Sequence, residues 1–197
     1  MANRILYLAR HGEATDDGRL TESGREQARL LGERLAGVPF AAVHHSPVPR
    51  AAQTAALIAE FLPAVPVAAD ETLGDYVPPV PDPATLPPVF ARFLASFSAE
   101  ELAEGAKLAV RALERHAGPA GTATRELIVT HNFVAAWLIR HALDTPDWRW
   151  LGLNLGNCGL TVIVYRDDRP PTLVVVNDMD HLPPALRWTG FPPDQHV

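Results

Sequence analysis

Cysteine is nearly absent: Cys158 stands alone among 197 residues. No disulfide can form within the chain, and such usage fits a reducing compartment. The expected role of Cys158 is that of a small buried hydrophobe. Cations are scarce too, with 17 Lys and Arg against 23 Asp and Glu and a formal charge of −6. That balance speaks against the broad basic face a nucleic acid requires, so an anionic ligand has to be caught locally. Long apolar runs are missing: the stretch around Trp137 is broken by Arg140, and the one after Arg4 holds five residues. Neither is long enough for a membrane span, and the second ends in charge where a secretory leader would not. The expectation is a cytoplasmic protein without nucleic-acid or membrane partners. With 47% hydrophobic and 20% charged residues, the composition is that of one globular domain, residues 1–197. Proline, at 19 residues, is the only excess.

What is present begins with Ile5-Leu6-Tyr7-Leu8-Ala9, a run suited to a strand covered on both faces. It delivers Arg10-His11-Gly12-Glu13 to the strand's carboxyl end, where open α/β sheets bind ligands; the same four residues would also suit a solvated loop. A helix is expected from Thr21 or Ser23 as N-cap to Gly37 as stop, with Leu30, Leu31 and Leu35 on one side. Ala41-Ala42-Val43 reads as a strand leading through His44 and His45 to Ser46, and Pro49 to Leu62 as a helix with proline in its first turn.

The segment VPPVPDPATLPP carries six prolines and resists helix and sheet. It suggests a small lid, within an insertion of about residues 70–98, passing over the sheet's carboxyl edge. Helices follow at Pro88 to Phe97 and Glu100 to His116, with Leu102, Ala106, Ala109, Val110 and Leu113 assigned to the core. Glu126 to Thr130 is a strand tipped by His131 before a helix from Phe133 to Leu143. Leu160 to Tyr165 and Thr172 to Val176 are strands around a turn at Arg166 to Pro170. Strands alternating with helices predict an α/β three-layer sandwich with a mostly parallel central sheet.

Three strand ends thus present Arg10 and His11, Ser46 with Arg50 beyond it, and His131. Two guanidinium forks and two imidazoles suit a phosphate, and the set calls for no metal, since zinc takes three or four His, Cys or carboxylate ligands. The stretches LYLARHGEAT, LTESGREQARLLGERL, SPVPRAAQTA and IVTHNFVAAWLIRHAL, with Asn157 and NDMDHL as weaker echoes, resemble the histidine phosphatase superfamily, the phosphoglycerate mutase-like proteins. The resemblance implies that His11 attacks phosphorus and becomes a phosphohistidine. Arg10, Arg50 and His131, with Asn132, would hold the phosphate oxygens. The attacking nitrogen must be unprotonated, and its partner nitrogen is expected to donate to a backbone carbonyl.

The family usually supplies a glutamate as general acid from an L-x-E segment. This chain has Leu73-Gly74-Asp75 there, so Asp75 is the first candidate acid and Glu71 the second; aspartate is one methylene shorter. Glu13 is expected to orient its loop, and His181 to pack near the site without acting. No cofactor is implied.

Between Arg50 and Arg92 there is no Lys or Arg, while Glu60, Asp70, Glu71, Asp75 and Asp82 are all acidic. Such a lid is a poor partner for the second anionic group a mutase must hold, which favours hydrolysis of a small organic phosphate over mutase activity. Arg19, Arg25 and Arg92 are the cations that would have to reach in. Val77, Pro78, Val80 and Leu86 are expected to face a neutral or apolar leaving group. The alternatives are a phosphohistidine or phosphoprotein phosphatase and a non-catalytic phosphate sensor. Trp137, Trp148, Trp150 and Trp188 are candidates for a homodimer surface.

Overall fold

The computed structural model describes residues 3–196; residues 1, 2 and 197 of the expected domain lie outside them. β1 (Arg4–Arg10), β2 (Ala42–His45), β3 (Val67–Ala69), β4 (Thr124–Thr130), β5 (Leu160–Arg166) and β6 (Arg169–Asp178) form one sheet in the order β3-β2-β4-β1-β5-β6. The first four in that order run parallel, while β5 and β6 are added antiparallel. β1 is central because it is apolar on both sides. Its Ile5, Tyr7 and Ala9 pack with α1 (Glu22–Leu35) and α2 (Pro49–Ala59). Leu6 and Leu8 point the other way, onto α5 (Asn132–Ala142). Each of these two leucines, at 0% and 1% exposure, contributes about 2 kcal/mol by leaving water. The sheet with helices on both faces is the expected three-layer α/β sandwich.

Thr21 caps α1 by accepting from the Gly24 N–H, and the helix stops at Leu35, two residues short of the expected glycine. α2 opens on Pro49 as expected and ends at Ala59, where single turns carry Leu62 into the core instead of more helix.

α3 (Pro88–Leu94) ends three residues before the expected Phe97, and α4 (Ala99–His116) corrects part of the expected core. α4 starts with a capping box between Ser98 and Glu101. Its buried stripe is Gly105, Ala109, Ala112 and His116, while Val110 is 49% exposed and Leu102 and Leu113 are half-buried. Ala109 is thus core as expected, with Leu102 and Leu113 packed at the edge of the core, and only Val110 faces out; the centre of the stripe falls on small residues, which let the backbone approach closely. A Cβ at Gly105 would run into the Val77 carbonyl.

That contact seats the proline-rich segment, whose Val77, Pro78 and Leu86 are buried. Val77 and Leu86 join a core cluster with Trp137 and Trp150. The lid's apolar residues therefore support the fold rather than face a ligand. The Trp150 indole N–H donates to Pro79 O at 3.1 Å and that of Trp137 to Ala109 O at 3.1 Å. These two tryptophans are core, not dimer surface; Trp148 and Trp188 are half-buried.

Candidate active site

Parallel strands bring their carboxyl ends to one edge of the sheet, and backbone bonds continue past the strands to hold the loops in register. The His11 N–H donates to Thr130 O at 2.9 Å, the Ser46 N–H to Val129 O at 3.0 Å and the Cys158 N–H to Arg10 O at 3.0 Å. A cavity of about 490 Å³ opens there, lined at its base by Arg10, His11, Arg50, Asp75, His131 and Asn132.

His11 is nearly buried. Its Nδ1 lies 2.8 Å from Gly12 O, so Nδ1 carries the hydrogen and Nε2 the lone pair. The Arg50 Nε–H donates to that lone pair at 3.1 Å. Burial first, then the Arg10 charge with smaller effects from His131 and Arg50, pushes His11 down to about 3 against the Gly12 bond. The nucleophilic nitrogen is thus free at any neutral pH.

Arg10 is held by donation from Nη1 to Leu155 O at 2.8 Å and lies over the Phe191 ring, 4.9 Å from its centroid. Burial lowers it to about 10, which leaves it charged. Arg50, in the first turn of α2, is ion-paired through Nη2 with Asp75. The same Asp75 oxygen lies 3.6 Å from His131 Nδ1. His131 is 1% exposed, its ring 5.1 Å from that of His11, and burial, then Arg50 and Arg10, pushes it down to about 3. Asn132 lines the cavity but spends its amide on the neighbouring loop, donating to Leu153 O at 3.3 Å and accepting from the Leu155 N–H at 2.8 Å.

The two candidate acids separate. Asp75 lines the cavity; Glu71 does not, being exposed at the start of a single 3-10 turn, Glu71–Leu73. Sequence reasoning missed the residue that sets this turn. Asp70 is buried and caps it through Oδ1, which accepts from the N–H and hydroxyl of Thr72. Oδ2 of Asp70 meets His116 Nε2 and Arg115 Nε, each at 2.9 Å. Against the penalty of burial, the Thr72 bonds and His116 hold the Asp70 carboxyl below its ordinary range. Thr130 Oγ1 donates to Leu73 O at 2.7 Å and ties the turn to the end of β4.

A relay of buried polar groups holds the loop after β1. The Gly12 N–H donates to Thr54 Oγ1 at 3.0 Å, the Glu13 N–H to Gln27 Oε1 at 2.8 Å, and Asn157 Nδ2 to His11 O at 2.8 Å. Gln27 also donates to Leu186 O and Thr189 Oγ1, and Thr189 donates to Asn157 Oδ1. Glu13 accepts from the Thr21 hydroxyl at 2.5 Å, which fits its expected orienting role. Gln27 and Thr54 had a signal: polar residues at core positions of otherwise apolar helix faces. Phe191 and Thr189 had none.

Ala14, Thr15, Asp16, Phe133 and Phe191 form the outer wall. None of Arg19, Arg25 and Arg92 lines the cavity; Arg19 pairs with Asp17 and Arg25 with Glu22. His181 sits instead beside Arg34, 3.1 Å from its Nη1. Among the described residues no cluster of three or more His, Cys, Asp or Glu could hold a metal ion.

Three imidazoles make the fold acid-sensitive. His11 and His131 are held near 3 and His116, by burial, near 4, against 6.5 when free. Their folded values are depressed, so from about pH 6.5 down to about 3 the unfolded chain binds more protons and stability falls as pH falls. Each contributes a loss of about 2 kcal/mol between pH 7 and pH 5. Urea unfolding midpoints are expected to be flat from pH 8 to 7 and to drop steeply below about 6.5; a flat profile down to pH 5 would contradict buried neutral imidazoles.

A profile of the histidine phosphatase superfamily (branch 1) matches residues 6–78 and 81–179. Serine/threonine-protein phosphatase Pgam5, mitochondrial, of Caenorhabditis briggsae is 36% identical over 192 residues, covering 93% of this chain and 66% of that protein. The human PGAM5 is 30% identical over 194 residues, covering 93% and 65%. The chain thus spans just under two thirds of the length of these relatives. Among solved structures, Bacillus stearothermophilus YhfR superposes with a TM-score of 0.68 at 26% identity, covering 90% of this chain and 98% of that one.

The expectation of a cytoplasmic protein is overturned by the relatives, which are named mitochondrial. It rested on a missing leader and span, and the start of a chain shorter than its relatives carries no such information. No helix among the described residues is long and apolar enough to cross a membrane. Because the profile runs through all six strands and every strand end that reaches the cavity, the chain belongs to the histidine phosphatase superfamily, branch 1.

Proposed function

We propose that the chain is a phosphatase: a metal-independent phosphomonoester hydrolase of one domain, residues 1–197, that works through a phosphohistidine on His11 and takes a small organic phosphate. The observation that carries this reading is the His11 Nε2 lone pair, fixed by Gly12 O and set between the Arg10 and Arg50 guanidiniums in one cavity. A phosphate dianion entering there takes over both guanidiniums and displaces Asp75 from Arg50. The displaced Asp75 carboxylate takes up a proton from solvent; Nε2 then forms a bond to phosphorus as the P–O bond to the leaving group breaks, and Asp75 passes that proton to the leaving oxygen. In the second half, water attacks phosphorus, Asp75 takes a proton from it, and the N–P bond breaks to return His11. Arg10, Arg50 and His131 offset charge on the equatorial oxygens throughout.

Hydrolysis is favoured over mutase chemistry because the outer wall, with Asp16, carries no cation among the described residues to hold a second anionic group. A phosphoprotein substrate is the second reading, favoured by the names of the PGAM5 relatives. The test is to mix the protein with a 32P-labelled aryl phosphate in the presence of chelator and quench in alkali. Label that survives alkali, is lost in acid and maps to the His11 peptide is expected. Turnover that stops with chelator and leaves no labelled protein would refute the mechanism. A phosphothreonine peptide with kcat/KM at least tenfold above small phosphates would move the substrate to protein.

A further inference from the structure

Ser46, fully buried just beyond β2, has a hydroxyl with two neighbours. The Val48 N–H donates to its Oγ at 3.2 Å, and Oγ lies 2.8 Å from His131 Nε2. A hydroxyl owns one hydrogen. If Nε2 carried a hydrogen and donated to Oγ, the serine hydrogen would be left in a buried site with no acceptor among the described residues, a penalty of the kind proteins avoid. The same tautomer would turn the bare Nδ1 lone pair toward the Asp75 carboxylate, 3.6 Å away. Both observations select the opposite arrangement, in which Ser46 donates to Nε2 and Nδ1 carries the hydrogen. That Nδ1 is buried and has no hydrogen-bond partner among the described residues.

We propose that Ser46 is a positioning residue: its hydroxyl fixes His131 as the neutral Nδ1–H tautomer, so that an N–H stands ready for a phosphate oxygen without protonation of the ring. The inference rests on reading the cavity as a phosphate site. His11 and His131 then share one tautomer but are gripped at opposite nitrogens. Gly12 O holds His11 by Nδ1 and presents a lone pair, which attacks; Ser46 holds His131 by Nε2 and presents a hydrogen, which donates. The groups facing His131 are Arg10 and His11 beyond β1, Arg50 on α2 and Asp75 after the 3-10 turn. With two guanidiniums there and full burial, protonating the ring is a poor way to obtain that donor near neutrality.

The test is long-range 1H–15N NMR of histidine-labelled protein, with His131→Asn to assign the ring, alongside titration with inorganic phosphate from about pH 5 to 8. Wild type is expected to show a protonated Nδ1 and an unprotonated Nε2 at His131. In Ser46→Ala the ring should shift toward Nε2–H, and phosphate should bind about ten- to a hundredfold more weakly at pH 8. Ser46→Thr, which keeps the hydroxyl, should restore both the tautomer and the affinity.

A wild-type spectrum with Nε2–H at His131 overturns the proposal and needs no variant to fold. So does a Ser46→Ala protein with unchanged phosphate affinity at pH 8. These readouts are independent of turnover. A wild type that hydrolyses nothing, yet shows the Nδ1–H tautomer and a Ser46-dependent phosphate affinity, would refute the catalytic reading and leave this one standing.

Discussion

Replacing His11 with alanine is expected to lower turnover of an aryl phosphate by at least about 10⁴-fold, while inorganic phosphate still binds. The loss is large because Nε2 is the group placed to attack: it is buried, neutral and aligned by the Gly12 carbonyl. The oxygens of a bound phosphate are served by other groups: Arg10 from β1, held by Leu155 O, and Arg50 from α2, which keeps its ion pair with Asp75 when its bond to the imidazole is lost. Affinity for phosphate should therefore change by less than about tenfold, and it rises if Arg50, freed from Nε2, turns fully to the ligand. Initial rates of phosphate release together with calorimetric phosphate titration separate the two quantities. A variant that keeps a tenth of the wild-type rate would remove His11 from the role of nucleophile. One that also loses phosphate binding and cooperative unfolding would report on the fold alone.

The strands that build the cavity were legible because each is a short apolar run that stops at a polar group. Leu6 and Leu8 fill the core toward α5 while Arg10 and His11 leave it, and β4 repeats the device with Ile128, Val129 and His131. The helix after Thr21 was legible from its cap and stripe. What the chain's pattern did not reveal depends on where distant segments meet. The small-residue centre of the α4 stripe turned on a close approach between Gly105 and Val77, which no periodicity encodes. Val77 and Leu86 have the same apolar character whether they face a ligand or a core, and the neighbourhood of Trp137 and Trp150 decided for the core. Asp70 and Glu71 are adjacent acids, yet one caps a turn and meets a buried histidine while the other is solvated. Phe191 reaches Arg10 only because Gln27 fastens the backbone near Leu186 and the Thr189 hydroxyl, more than 150 residues away in sequence.

Asp75→Asn is expected to act differently on the two half-reactions, and its effect depends on the leaving group. An alkyl phosphate leaves as a strong base and needs a proton, so its hydrolysis should fall about 10²- to 10⁴-fold. An aryl phosphate leaves as a stabilised phenolate, and phosphorylation of His11 should then proceed at close to the wild-type rate. The phosphohistidine formed still awaits water, whose proton asparagine cannot take. Rapid mixing of the variant with an aryl phosphate should give a burst of phenolate near one equivalent per chain, followed by a slow steady rate. Removing the carboxylate also frees Arg50 from its ion pair, so phosphate should bind the variant more tightly and slow the steady rate further. Glu71→Gln should match wild type within about twofold, since Glu71 is exposed and does not line the cavity. Equal losses for alkyl and aryl substrates with no burst would mean that Asp75 serves binding rather than proton transfer. A loss in Glu71→Gln with Asp75→Asn unaffected would show that the turn moves when substrate binds and exchanges the two carboxylates at the cavity.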